Sequence, residues 1–358
     1  MGSLPRPEHP QPQMERSAWR SLNGAWQFAF DFSKSGLDRH FERRDALDTT
    51  ITVPFCPESV LSGVHYTDFI PAVWYARAFT LTPEELSGRV LLHFGAVDYE
   101  AHVFVNGEPA GTHRGGYTSF CFDITDLCRA GENRLSVYAE DDNRSGKQPH
   151  GKQCESFDSQ GCDYTRTTGI WQTVWLEGVP ADEIRSLRIL PSLASTSFSI
   201  DVPLSRSTPG TSLEVIASVP GGAEVARASV RADLDLAPHL ELAIPAEHVR
   251  VWGPGAPELY ALQVRLLDGD SGVLDEVRSY AGLRSTSLNA HEYRLNGEKV
   301  FQRLVLDQGY WEDTFMTAPS DDAFAADIRL ALEAGFNGAR LHQKVFEQRM
   351  LFWADLHG

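Results

Sequence analysis

Leu295-Asn296-Gly297-Glu298-Lys299, an apolar run from Val300 to Leu306, and Asp307-Gln308-Gly309-Tyr310-Trp311 open the segment that decides the fold. A helix is predicted next. Ser320 is an N-cap candidate, Asp321 and Asp322 favour the positive end of a helix, and Phe324, Ile328, Ala331 and Leu332 recur at helical spacing. Gly335 ends this helix, Phe336 to Leu341 reads as a second short strand, and a further helix carries Trp353-Ala354-Asp355-Leu356-His357-Gly358. Strand, helix, strand, helix is how a parallel α/β barrel begins. Residues 286–358 are therefore expected to form the first two βα units of an incomplete (β/α)8 barrel.

Upstream the pattern changes to short strands and turns, so the chain reads as multidomain and mainly β. From about residue 181 to 285, predicted strands at Ile184–Ile189, Phe198–Pro203, Ser212–Val219, Leu240–Ile244 and Leu259–Leu267 have the size of an immunoglobulin-like β-sandwich. Residues 18–180 carry Trp26, Phe28 and Phe30 in alternation, then Val73–Phe79, Arg89–Gly95, Ala101–Val105 closed by Asn106-Gly107, Phe120–Ile124, Asn133–Ala139 and Gly169–Leu176. Strands this short and aromatic, with no helix-length periodic stretch, predict a jelly-roll β-sandwich. Trp26, Trp74, Trp171 and Trp175 fall at strand periodicity and are expected in its core. Asp98, in a Gly-Ala-Val-Asp turn, is expected to bond local backbone. The lead, residues 1–17, is polar and contains Pro5, Pro7, Pro10 and Pro12, so it reads as flexible or draped.

Of the 358 residues, 49 are acidic and 32 basic, a net charge of −17. A surface so acidic repels phosphate backbones and anionic lipid, which argues against nucleic acid and membrane as partners. The N-terminus has no apolar signal region, the myristoylation pattern fails at Arg6, and no apolar run is long enough to cross a bilayer, so the cytoplasm is expected. The five cysteines, Cys56, Cys121, Cys128, Cys154 and Cys162, form no C-x-x-C pair and suit a reducing compartment. His150, Cys154 and Cys162 lie near one another but match no zinc spacing.

Four stretches together resemble glycoside hydrolase family 2, the β-galactosidase and β-glucuronidase family. They are Val73-Trp74-Tyr75-Ala76-Arg77-Ala78-Phe79; Phe94-Gly95-Ala96-Val97-Asp98-Tyr99 running into Val103-Phe104-Val105-Asn106-Gly107; Gly169-Ile170-Trp171; and Gly335-Phe336-Asn337-Gly338-Ala339-Arg340 followed by Trp353-Ala354-Asp355. Each is weak alone; their order and spacing make the likeness. The resemblance implies a jelly-roll sugar-binding domain, an immunoglobulin-like sandwich and a catalytic (β/α)8 barrel. It implies a retaining exo-β-glycosidase acting on an oligosaccharide or glycoside, a β-galactoside or β-glucuronide, with two glutamates about 5–5.5 Å apart. In the family both glutamates lie beyond the part resembled here, so these residues include no catalytic pair and are expected to be inactive alone. The alternative is a non-catalytic carbohydrate-binding β-sandwich protein. Some members form homo-oligomers or carry Mg²⁺ or Na⁺, but no ligand set is evident in this sequence and no cofactor is expected.

The resemblance also names candidates for sugar binding. Asp163 stands six residues before Gly169-Ile170, where β-glucuronidase-like members carry an aspartate that reaches the barrel mouth. Its alternative is an exposed loop acid. Arg340 ends the second barrel strand, where barrel active sites form. The family often continues Arg-x-Ser-His; here the text is Arg340-Leu341-His342-Gln343, which puts Gln343 at the histidine's place and His342 at the serine's. The alternative for Arg340 is a salt-bridging arginine next to a surface histidine. Asp307 is a candidate to orient Arg340 through a charge-assisted pair and Trp311 to line the pocket, each with a structural role as the stronger alternative.

Overall fold

The computed structural model describes residues 4–219 and 221–358. In the first unit, a six-stranded antiparallel sheet runs in the order Thr49–Val53, Gly24–Phe30, Ala72–Leu81, Gly131–Glu140, Glu100–Val105, Glu108–Arg114. A four-stranded sheet runs Trp19–Ser21, Val174–Val179, Arg89–Phe94, Phe120–Asp123. Period-two alternation sends Trp26, Phe28, Tyr75, Val103, Val105 and Val137 from the first sheet, and Leu92, Phe94, Val174 and Leu176 from the second, into one shared core. All four expected core tryptophans are buried, although Trp74 packs on the outer face of the larger sheet, under Phe41.

The predicted single strand Gly169–Leu176 is two. Gly169–Ile170 pairs with Val97–Asp98, and Val174–Val179 pairs with Arg89–Phe94. Between them Trp171 is fully buried and donates its indole N–H to the Gly116 carbonyl at 2.8 Å. The strands Thr49–Val53 and Glu108–Arg114, unpredicted, are polar edge strands held by register with an apolar neighbour rather than by their own pattern.

In the second unit, three strands (Arg188–Ser192, Ser197–Asp201, His239–Ala243) and four strands (Glu224–Arg231, Ser212–Ser218, Tyr260–Leu267, Val273–Ala281) enclose a core that includes Phe198, Ile200, Val215, Leu242, Val264 and Val277. The first of these strands begins later than predicted, at Arg188, and Ile184 makes only an isolated bridge to Leu204. Glu224–Arg231 and Val273–Ala281 escaped prediction because both are edge strands with charged residues between the buried ones.

The lead is not the loose segment its composition suggested. Arg6 is 2% exposed and pairs with Glu347, at 2.8 and 3.1 Å, and with Glu8. Arg16 grips both carboxylate oxygens of Asp275, at 3.0 and 2.9 Å, and reaches Glu177 at 3.0 Å. The Asn23 side chain takes the Pro5 and Arg6 carbonyls. Two buried arginines thus tie the lead to both sandwiches and to the C-terminal segment, which composition alone does not reveal.

In the C-terminal segment Asn296 and Gly297, with φ of 53° and 83°, turn a hairpin in which Glu298–Val300 pairs back on Tyr293–Leu295. That hairpin uses up the start of the run predicted as one strand from Val300 to Leu306. The first parallel strand is Leu304–Asp307, and it pairs with Gly338–Leu341. Helix α1 spans Asp321–Glu333 and α2 spans Gln348–His357. Ser320 sits at the N-cap of α1 but its hydroxyl makes no cap bond; Asp321 instead holds Arg349 of α2. Gly335, with φ 87°, closes α1: Gly335 N–H bonds the Leu332 carbonyl and Phe336 N–H the Ala331 carbonyl. Phe336 is consumed in that closure, so the second strand starts at Gly338.

Candidate functional site

The long polar loop between Glu140 and Gly169 meets the C-terminal end of the parallel strand pair. Tyr164 stacks on Tyr310, ring centroids 4.1 Å apart and 14° from parallel. Gly151 lies against the turn after Gly338–Leu341, where a Cβ would sit 2.3 Å from the Gln343 carbonyl oxygen, and its φ of +61° also favours glycine. Arg166, 2% exposed, shapes the loop from inside: it donates to the Cys154, Ser156 and Thr67 carbonyls and lies 4.0 Å from the Phe69 ring.

Three carboxylates hold the base of this loop. Glu58 accepts from Thr168 N–H at 3.2 Å, Asp98 from the Gln153 amide at 2.7 Å, and Asp141 from Gln148 and Thr168. Asp98 therefore bonds a side chain far along the chain rather than local backbone, because its strand points it inward. Burial pushes the Glu58 carboxyl up to about 7 and the Asp141 carboxyl up to about 6, and burial with repulsion from Asp141 raises Asp98.

The loop brings Asp163 to the strand ends. Its carboxylate lies 3.6 Å from the Lys152 ammonium and is about half exposed. Arg340 donates to Nδ1 of His342, so that nitrogen carries no proton. Burial, with the charges of Arg340 and Lys152, lowers the His342 pKa and favours the neutral ring. Lys152 thus stands between Asp163 and His342, and Gly151 abuts Gln343, where the loop meets the end of Gly338–Leu341.

Asp307 does not join Arg340. In the parallel register Arg340 opposes Leu306 and Asp307 opposes Leu341, so the two side chains leave opposite faces of the sheet. Asp307 and Leu341 line a cavity of about 200 Å³ on the helix side, and Asp307 accepts instead from Gly309 N–H at 2.8 Å. Trp311 also packs on that side, edge-on to Phe324 at 5.6 Å, within the cluster of Phe324, Phe346 and Met350. On the other face Leu304 and Leu306 are 42% and 50% exposed beside Arg340.

Sequence reasoning missed Lys344. Its ammonium donates to the Gly309 and Met316 carbonyls and lies 4.9–5.7 Å from the rings of Trp171, Tyr310, Trp311 and Phe346. Burial pushes it down to about 7. Lys152 and Arg166 were missed too, since a polar loop offers no periodicity to single them out. Among the described residues no group of three His, Cys, Asp or Glu is arranged to hold a metal ion, and His150 bonds the Gln153 carbonyl instead.

Residues 19–180 match the pattern described as "Glycosyl hydrolases family 2, sugar binding domain", and residues 183–284 match "Glycosyl hydrolases family 2". The chain belongs to glycoside hydrolase family 2. It is 24% identical over 355 residues to a β-glucuronidase of Paenibacillus borealis, covering 95% of this chain and 57% of that protein. It is 27% identical over 291 residues to a β-galactosidase of Thermoanaerobacter pseudethanolicus, covering 78% of this chain and 36% of that protein. The chain thus spans about half the length, or less, of these family 2 relatives. A Ruminococcus gnavus β-glucuronidase solved with D-glucuronic acid shares the fold, with TM-score 0.80 and 19% identity over 99% of this chain and 61% of that one. A family 2 member from Bacteroides cellulosilyticus gives TM-score 0.78 and 22% identity, over 95% and 46% respectively.

Proposed function

We propose that these residues form the sugar-binding half of a retaining exo-β-glycosidase that cleaves terminal β-glucuronides or β-galactosides. In this reading the units are a jelly-roll domain, an immunoglobulin-like sandwich and the opening of a (β/α)8 barrel. Asp163, Arg340, His342 and Gln343 contact sugar hydroxyls, and Asp307 and Trp311 support the barrel strands from the helix side. The observation that carries the reading is the Tyr164–Tyr310 stack at 4.1 Å, which fixes the loop bearing Asp163 over the strand ends. Barrel enzymes build their sites at those ends. A carboxylate beside a neutral imidazole and a guanidinium offers both acceptors and donors to sugar hydroxyls.

The two catalytic glutamates belong to barrel units beyond these residues, so the 358-residue chain binds sugar without turning it over. A panel of nitrophenyl β-glycosides tests this on the product of the complete reading frame and on the 358-residue chain. Turnover by the first and not the second is expected. Turnover by the purified shorter chain, host enzyme excluded, would overturn the division of labour; none by the complete product would overturn the glycosidase reading.

A further inference from the structure

One enclosed ammonium reaches both halves of the candidate site. Lys344 follows the turn after Gly338–Leu341 and donates to two carbonyls outside that strand. One is Gly309, just past the end of Leu304–Asp307; the other is Met316, at 2.6 Å, in the segment leading to α1. Four rings surround the ammonium: Tyr310, Trp311 and Phe346, and Trp171 from the first sandwich. The carboxylates whose charge reaches it are engaged elsewhere, Glu347 by Arg6 and Asp307 by Gly309 N–H. The charge therefore rests on carbonyl dipoles and ring faces. Stability alone gives little reason for it, since an apolar side chain of similar volume is commonly as stable at such a place.

The backbone on both sides is shaped to this contact. Gly309, at φ +66°, leaves no room for a Cβ, which would lie 2.6 Å from the Phe346 ring and 2.9 Å from the Lys344 ammonium. Gln343 holds a φ of 51°, the left-handed region, which an L side chain occupies at a cost and keeps only where its surroundings fix it. Lys344 holds it from the following residue, and Gly151 of the polar loop abuts its carbonyl.

Two sets of candidate sugar contacts hang on this anchor. Tyr310, next to Gly309, carries the stack of Tyr164 at 4.1 Å, and with it the neighbouring Asp163. His342 and Gln343 directly precede Lys344. We propose that Lys344 is a positioning residue: its ammonium, by gripping Gly309 and Met316, keeps the Asp163 loop and the His342–Gln343 turn in one arrangement. The effect on sugar rests on the sugar-binding reading; the coupling of the two segments does not.

The first test needs no activity. Amide exchange of the folded 358-residue chain is followed by peptide mass at pH 6, below the Lys344 pKa of about 7, so that the ammonium is charged. Lys344→Ala is expected to speed exchange roughly tenfold in residues 158–166 and 338–346 together, and to leave Tyr260–Leu267 unchanged. Added n-propylammonium, which replaces the deleted atoms and charge, is expected to slow both segments again, and 1-propanol of the same length is not. Should Lys344→Ala fail to fold, Lys344→Met, which keeps the bulk without the charge, is expected to show the same paired increase. Wild-type exchange in either segment, or equal rescue by propanol, would overturn the proposal.

The second test uses the product of the complete reading frame and whichever nitrophenyl β-glycoside it cleaves. Lys344→Met is expected to raise KM roughly tenfold, the worth of about one sugar hydrogen bond. A merely structural loss would remove active molecules, lowering kcat and leaving KM alone. An unchanged KM would therefore overturn the positioning of sugar contacts. No hydrolysis by the unaltered protein would count against the glycosidase reading instead, and the exchange result then decides the coupling by itself.

Discussion

Replacing Arg16 by methionine should loosen the junction between the two sandwiches. Arg16 is 5% exposed and joins three parts of the chain: the lead, Glu177 on Val174–Val179, and Asp275 on Val273–Ala281. Its guanidinium also donates to the Ile184 carbonyl. Burial opposes the charge, yet Asp275 and Glu177 more than offset it and hold the arginine firmly ionised. Removing one partner of a buried ion pair costs about 3–5 kcal/mol, mostly because the remaining charge is stranded. Here the residual charges keep some support. Asp275 still accepts from Ile184 N–H at 2.7 Å and Glu276 N–H at 2.9 Å, and Glu177 keeps His93 at 3.0 Å. The expected loss is therefore at the low end, about 3 kcal/mol. For a sandwich of about 100 residues that is roughly 14 °C in the melting of the second unit. Scanning calorimetry reads it directly. Arg16→Lys should recover only part, because an ammonium cannot grip Asp275 with two parallel bonds. Adding Asp275→Asn to Arg16→Met should cost less than the sum of the single changes. A single-variant loss within about 0.5 kcal/mol of zero would refute the clamp, since that is the range of ordinary surface substitutions.

Other outcomes follow from the loop and its base. Glu58, raised to about 7 when folded, contributes stability that is full below its unfolded pKa near 4.5 and is lost as pH rises through 7. Unfolding free energies of the wild type from urea titrations should therefore fall between pH 4.5 and 8 by about 3 kcal/mol more than those of Glu58→Gln, and parallel curves would refute the assignment. Gly151→Ala forces a Cβ against the Gln343 carbonyl at positive φ, and should lower stability by about 2 kcal/mol while speeding amide exchange in residues 150–164; unchanged exchange would argue against the docking of this loop. Arg166→Met removes the guanidinium donor from the Ser156 and Thr67 carbonyls and leaves the Cys154 carbonyl with Asn143 alone; it should make the loop the first site of limited proteolysis, whereas wild-type cleavage kinetics would refute its organising role.

How much of this was legible depends on what each residue's neighbours are. Apolar alternation marked the strands that carry Trp26, Val103 and Val264, because the pattern is the cause of their burial. Edge strands such as Glu224–Arg231 bury little and left a faint pattern. Asn296-Gly297 announced a turn, but a turn can close a hairpin or begin a strand, and only the partner Tyr293–Leu295 decides which. Around the candidate site, Asp163 and Arg340 were named as candidates through family likeness. Asp307 was assigned to the wrong partner because adjacency in sequence of the strand ends says nothing of which face a side chain leaves until register is known. Lys152, Arg166 and Lys344 stand in irregular segments, where contacts are set by long-range packing and no local period records them.

The most direct test of the account is the turnover of nitrophenyl β-glucuronide and β-galactoside by the product of the complete reading frame, with and without Asp163→Ala. The account predicts hydrolysis of at least one of the two. It also predicts a loss in kcat/KM of roughly 100-fold for the folded variant, the worth of a charge-assisted hydrogen bond to sugar. Undiminished turnover by Asp163→Ala, or no hydrolysis of either substrate by the unaltered protein, would contradict it.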